Sequence, residues 1–423
     1  MTLPPGPAAG VAAQTVAFHR DPLGFLRRAQ GEYGDVFAIR LLTARPLAVV
    51  AEPQAAKELL EADPVRARAG EGRKRILPFA SARSVFGGDG DRHRAARQRI
   101  APALSAEALS PRRAQMAQVA ERHARSWPRR RPFRLLPRLR SLADEIFVRL
   151  VLGVREEEVA AALIAAMRRM LWTPGNPPVS LPGPGDGAMG VLGRALFDRR
   201  QAPVGRALAR AIEARRREAD DEVDVLGLMT RDENLATDEI VDELMSLLMA
   251  AQEPPSIALA WLFDRLGREP ELGRRFAAEP RGDFADAVVR ETLRLTPPAS
   301  AAIRRLTEPA QAGGWVLPAG ITALVPTSLV QRDPRAYRDP DRFDPGRWLS
   351  GEPTGLHFPF GGGARRCIGE ALARAEIETV APAVLGQIGL RPLSREPERV
   401  VQRGTVLVPK RSLLAVAEDA KAA

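Results

Sequence analysis

Through most of the chain, apolar residues recur at three- and four-residue spacing, and that spacing predicts helices. It does so over 91–104, 106–124, 139–152 and 156–171, and again over the Arg-rich stretch 191–219. Shorter helices are expected at 21–31 and 53–62. Residues 237–267 are apolar nearly all round, the pattern of a helix that runs through a core. Pro254-Pro255 interrupts that helix at its middle. Apolar, partly β-branched runs at 36–41 and 46–51 flank a polar turn and predict a hairpin. Segments 316–318, 321–326 and 405–409 read as short strands between proline-marked or glycine-marked turns. The basic stretch 65–83 reads as a loop, and so does the proline-rich 173–186. The expected fold is mainly α with a small β-rich subdomain, in a single domain over 1–423. The β-rich part is drawn from about 30–52, 315–330 and 395–418, and the helical part from about 89–296 and 367–388.

Composition narrows the classes of function. Hydrophobic residues make up 45% of the 423 residues and aromatics only 5%, so the core must be mostly aliphatic. The net charge of +11 is carried almost wholly by arginine, interspersed with Asp and Glu. That pattern fits solvated helix faces, and no zinc spacing, RNA-binding signature or basic tail points to nucleic acid. No apolar run is long enough to span a membrane. The opening residues lack a basic region followed by an apolar one, so a cytosolic location is expected. No internal repeat is present.

The only cysteine is Cys367, which excludes an intrachain disulfide. It lies in Phe360-Gly361-Gly362-Gly363-Ala364-Arg365-Arg366-Cys367-Ile368-Gly369. A glycine run and two arginines precede it, and a helical pattern follows from Gly369. A sulfur just before a helix N-terminus meets unpaired N–H groups and the positive dipole end, which suits a metal ligand.

The spacing F-x-x-G-x-R-x-C-x-G resembles the axial-ligand loop of the cytochrome P450 family. The resemblance covers nearly the whole chain. Glu291-Thr292-Leu293-Arg294 is similar to the family's E-x-x-R, and the segment from Pro345 to Trp348 is similar to its P-E-R-F, with Gly346 and Trp348 as departures. The resemblance implies a soluble bacterial-type enzyme with the P450 fold and haem b (iron protoporphyrin IX) as cofactor. Cys367 would ligate the iron, framed by Phe360 and Gly369. His93, Arg97, Arg304 and Arg365 would hold the haem propionates, with Arg305 as the fallback for Arg304. Glu291, Arg294 and Arg347 would form a buried brace under the ligand loop. Anionic sulfur as the axial ligand favours O–O cleavage. The family uses it to oxygenate C–H bonds, with electrons from a separate ferredoxin or flavodoxin. Arg366 and Arg374 are candidates to dock that donor. The substrate would be a small apolar molecule, such as a terpenoid, polyketide or similar secondary metabolite. Its roof would come from residues 66–84 and 173–186. No nucleic acid or membrane partner is implied.

One stretch breaks the pattern. Where the family has A-G-x-[DE]-T-T, this chain has Ala250-Ala251-Gln252-Glu253-Pro254-Pro255. Pro254 replaces the distal threonine and offers neither hydroxyl nor N–H. The carbonyls of Ala250 and Ala251 lose their helical partners, and the helix is expected to restart near Pro254 or Pro255. Glu253 becomes the candidate proton relay and Ser256 a possible substitute for the hydroxyl. Two activities stay open: a monooxygenase, or a redox-neutral enzyme (isomerase, dehydratase or terpene cyclase). A haem sensor or carrier without turnover is a third class. Two other features have bland explanations. Asp220-Asp221-Glu222-Val223-Asp224 matches a magnesium-binding D-D-x-x-D but reads as a solvated turn. The arginines at 66–75 could meet an anionic substrate but read as surface charge.

Overall fold

The computed structural model describes residues 2–42, 44–74, 80–172, 188–218, 221–351, 355–403 and 405–419. Long helices form at Gly90–Ile100, Arg113–Ser126, Leu135–Glu145, Glu157–Trp172 and Ala188–Arg216, though the helix expected over 106–124 is broken at its start into Ala106–Leu109 and a tight 3-10 turn, Ser110–Arg112. Two further departures have local causes. The helix expected at 139–152 starts at Leu135 and passes into a π segment, Ile146–Val151. There the Leu152 N–H reaches back five residues to the Phe147 carbonyl at 2.8 Å, the mark of a π turn. The stretch 65–83, expected to be a loop, instead holds a strand, Ala67–Arg68, and a short helix, Ala69–Lys74. Gly70 permits this fold. A Cβ there would lie 2.4 Å from the Gly87 carbonyl oxygen and 2.5 Å from that of Gly88. Residues 75–79 and the proline-rich 173–186 lie outside the described residues.

The core helix is split as the proline pair dictates. Its halves are Thr237–Ala251 and Glu253–Arg268, with only Gln252 between them. Pro254 and Pro255 occupy the first turn of the second half, where a missing N–H loses nothing because those groups have no intrahelical partner. The second half packs against Leu135–Glu145, Asp283–Leu295 and Glu370–Leu385. Leu259, Trp261, Phe263, Val288 and Val380 there belong to one large, mostly aliphatic cluster.

The main sheet has five strands in the order Val36–Leu41, Ala44–Val50, Thr322–Val325, Ala302–Leu306, Ala67–Arg68. The first two form the expected antiparallel hairpin. Residues Leu47 to Val49 then pair in parallel with Thr322 to Leu324, tying the chain's beginning to its later third. A three-stranded sheet sets Leu414–Asp419 between Pro132–Arg134 and Ile388–Pro392. No helix among the described residues is long and apolar enough to cross a membrane.

Candidate functional site

Cys367 closes the loop that enters helix Glu370–Leu385. Its N–H donates to the Phe360 carbonyl at 2.8 Å. The loop turns through Gly361 at φ 70° and Gly363 at φ 61°, left-handed conformations that favour glycine. Gly363 also passes close to the neighbouring helix, where a Cβ would stand 2.8 Å from the Leu60 carbonyl oxygen. The sulfur is solvent-accessible, yet protein surrounds it closely enough for burial to raise its pKa. The Gly369 N–H and the charges of Arg97 and Arg73 pull the thiol back down, and Glu370 opposes them. Without a bound cation burial wins, so a metal ion would have to complete the deprotonation.

Glu291 and Arg294 are buried completely and form a two-point ion pair at 2.8 Å on each side. Glu291 also accepts from Arg347 Nε at 3.1 Å, the Asp344 N–H at 2.9 Å and the Trp348 indole at 3.0 Å. Trp348, a departure from the family pattern, therefore adds a donor to the brace. Arg294 donates to the carbonyls of Gln331, Pro340 and Arg342. Gln331 is the connection to the cysteine loop. Its side chain bonds back to the Leu293 and Arg294 carbonyls and accepts the Phe358 N–H at 2.7 Å.

Four elements bring cations together near the thiol. Arg73 comes from helix Ala69–Lys74, His93 and Arg97 from Gly90–Ile100, Arg304 from strand Ala302–Leu306, and Arg365 from the turn Gly363–Arg365. Arg97 donates to the Arg366 carbonyl at 2.8 Å, and Arg73 to the Phe86 carbonyl at 3.1 Å. Arg304 donates to the carbonyls of Ile303 at 3.0 Å and Leu60 at 3.1 Å. Arg365 donates to the Gly88 carbonyl at 2.6 Å and pairs with Asp89. Its Nε and Nη1 are buried and donate to nothing among the described residues. The carboxylate acting on this group is Asp89, which also accepts the N–H groups of Gly70 and Glu71.

Arg304 and Arg365 are buried and Arg73 and Arg97 half-buried, so four guanidiniums against one carboxylate leave a surplus of positive charge that calls for a counter-ion. Burial, aided by the neighbouring arginines, pushes Arg304 down to about 9 and Arg73 down to about 10. His93 falls to about 4, from burial first and then from Arg365, Arg97 and Arg73. A group bearing two carboxylates fits this cradle on charge and on its unfilled donors.

The same numbers predict a pH dependence. His357 is also held neutral, at about 4, mainly by burial. Each imidazole is neutral in the folded state and charges near its ordinary pKa of about 6.5 once unfolded. The unfolded chain therefore binds more protons, and the stability present above about pH 6.5 is lost as pH falls toward 4. Chemical denaturation of the apo-protein will show a loss of up to about 3 kcal/mol per histidine across that window. His93→Asn and His357→Asn will each remove one part of the slope.

The split helix carries the stretch that departs from the family pattern. Ala250 is exposed although Leu247 and Leu248 beside it are buried, and Pro254 is partly accessible. Glu253 is ion-paired with Arg140 at 2.8 Å, both nearly buried. Burial raises Glu253, and Arg140 opposes that rise. Ser256 is fully buried and donates to the Glu253 carbonyl at 2.8 Å, so its hydroxyl proton is engaged within the helix.

The sequence matches a model of the family described as "Cytochrome P450" over residues 2–416. The chain belongs to the cytochrome P450 family. It is 30% identical to a protein of Mycobacterium bovis and M. tuberculosis named cytochrome P450 135B1, over 97% of this chain and 90% of that one. It is 31% identical to M. tuberculosis cytochrome P450 135A1, over 97% of this chain and 96% of the relative. Among solved structures it superimposes on the retinoic acid-bound cyanobacterial CYP120A1 with a TM-score of 0.84, at 22% identity, over 99% of this chain and all of the other. The cofactor of this P450 is accordingly iron protoporphyrin IX.

Several sequence expectations take different form in the P450. Arg304 faces the cradle while Arg305 turns toward Glu71 at 3.6 Å, as alternation along a strand requires. Of the arginines at 66–75, Arg66 pairs with Glu308 and Arg68 with Glu71, while Arg73 joins the cradle. The acidic run is exposed at Asp221, Glu222 and Val223, as a solvated turn is, and buried only at Asp224 among its described residues. Glu222 meets Arg112 and Arg155, and the buried Asp224 pairs with Arg215 and caps the next helix. No cluster of potential metal ligands exists among the described residues. Arg366 and Arg374 are already paired, with Glu370 and Asp286 respectively. Arg73, Asp89 and Gln331 went unrecognised. Only Asp89, set just ahead of a helical pattern, carried a local signal.

Proposed function

We propose that this P450 is a monooxygenase acting on a small apolar molecule, of the terpenoid, polyketide or similar secondary-metabolite class. The observation that supports it most is the surplus of cations, with Arg304 and Arg365 buried among them, beside an accessible thiol. Cys367 would ligate the iron, and His93, Arg97, Arg304, Arg365 and Arg73 would hold the two propionates. Arginine suits that task because its planar fork donates bidentately. Glu291, Arg294 and Arg347, joined to the loop through Gln331, keep the thiol in register. Bound haem supplies dioxygen chemistry, which the thiolate promotes. Electrons would come from a separate ferredoxin- or flavodoxin-type protein in the cytosol. Arg366 and Arg374 could greet such a donor only by exchanging their present carboxylate partners.

Pro254 favours a second reading, a redox-neutral haem-thiolate enzyme, because no hydroxyl or N–H reaches the distal side there. Incubation with candidate substrates, with and without dioxygen and reductant, separates the two. Product formed without either would defeat the monooxygenase reading. Under that reading, Pro254→Thr restores a donor and raises product formed per dioxygen consumed by about fivefold to tenfold, the worth of one hydrogen bond. Peroxide release is the measurement, and unchanged release would count against it.

A further inference from the structure

A second buried polar cluster lies behind the split helix. Asp144 lies in the last turn of helix Leu135–Glu145 and is almost inaccessible. Gln252, the residue between the two halves of the split helix, donates to Asp144 Oδ1 at 2.8 Å. Arg168 Nε donates to Oδ2 at 3.1 Å from helix Glu157–Trp172. Arg168 is half-exposed and lines an open groove of about 650 Å³ with Ser141, Glu145 and Arg149. One turn before Asp144, Arg140 holds Glu253. Polar atoms thus follow one another from the groove to the helix break. Gln252 Oε1 is buried and accepts no hydrogen bond among the described residues, a position where a bridging water is at home. The second half of the split helix packs along Leu135–Glu145, so the Asp144–Gln252 bond lies at the contact between the two helices.

We propose that Asp144 carries protons from the surface groove to the break in the split helix, with Arg168 as the outer gate. The protonated Asp144 carboxyl gives its proton to a water held by Gln252 Oε1, and that water gives one of its own to the Glu253 carboxylate. Asp144 recovers a proton from groove water when Arg168 swings outward. The net change is one proton moved inward, with no electron transferred. Burial raises the Asp144 pKa, while Arg168, Gln252 and Arg140 oppose the rise, and Glu253 is the charged group on the facing helix. The role rests on the monooxygenase reading, in which reducing one oxygen atom of dioxygen to water takes up two protons.

Asp144→Asn keeps the shape and removes the titration. In the ferric holoenzyme, infrared spectroscopy between about pH 5 and pH 9 will show a protonated-carboxyl band that Asp144→Asn deletes. In turnover, Asp144→Asn will lower product per dioxygen by about tenfold and enlarge the solvent deuterium isotope effect. The thiolate–CO band will be unchanged. Should Asp144→Asn fold poorly, Arg168→Gln, at a half-exposed position, will shift the pH profile of coupling instead. No such infrared band at any pH, or coupling and isotope effect at wild-type values in both variants, overturns the proposal. If wild type consumes no dioxygen with any substrate, the monooxygenase reading falls, while the infrared band still decides whether Asp144 holds a proton.

Discussion

Glu291→Gln will lower the free energy of unfolding by about 3–5 kcal/mol, the range for breaking a buried ion pair from one side. Glu291 is the convergence point of five donors: two from Arg294, one each from Arg347 and Trp348, and the Asp344 N–H. Glutamine keeps the volume but loses the charge and turns an NH₂ toward guanidiniums that already donate. Arg294 and Arg347 would then remain buried and short of negative charge. The damage should spread to the cysteine loop, because Gln331 links Arg294 to Phe358. Denaturation of apo- and holo-protein reads the first effect, and the rate of haem loss reads the second. Trp348→Phe removes one neutral donor and should cost only about 1 kcal/mol. A Glu291→Gln protein within that same margin of wild type would show that the brace is decoration. The carboxylate also sets an acid limit. Burial pushes its pKa up, but Arg294, the Asp344 N–H and Arg347 outweigh burial and hold it below the ordinary glutamate value. Its contribution is therefore present above the unfolded-state pKa and lost as pH falls through the depressed one.

The parts of this site that can be read from the sequence are those whose chemistry has a fixed local spacing. The cysteine loop needs its glycines at set positions because the backbone adopts positive φ there. Glu291 and Arg294 lie one helical turn apart, so their pairing is local. His93 and Arg97 share a face for the same reason. Partners distant in sequence left no such trace. Arg73 reaches the cradle only because Gly70 lets its segment touch the backbone at Gly87 and Gly88, a contact that periodicity cannot reveal. Asp144 sits in what reads as an ordinary helix, and its meaning comes from Gln252, 108 positions away. The split helix shows both cases. The proline pair announces the break and places the restart within a residue of Glu253. It says nothing of Arg140, with which the candidate relay Glu253 is found in an ion pair.

Retention of haem and the character of its iron should separate cleanly under mutation, because different residues serve each. Cys367→Ser will abolish the strongly red-shifted CO–ferrous band that an anionic sulfur ligand produces. It should leave much of the haem in place, since the cradle of Arg73, His93, Arg97, Arg304 and Arg365 is untouched. Arg304→Ala should do the reverse. Each charge-assisted hydrogen bond is worth about 1.5–3 kcal/mol, so haem will dissociate about 10- to 150-fold faster, while whatever haem remains keeps the thiolate band. The contrast guards against a trivial outcome, because a merely misfolded variant would lose both properties together. Arg305→Ala is the internal control. It is the sequence neighbour of Arg304 but faces Glu71, so haem loss should stay at the wild-type rate. If Arg305→Ala and Arg304→Ala release haem equally fast, the strand register does not select the cradle residue. If Cys367→Ser keeps the red-shifted band, the lone thiol is not the ligand.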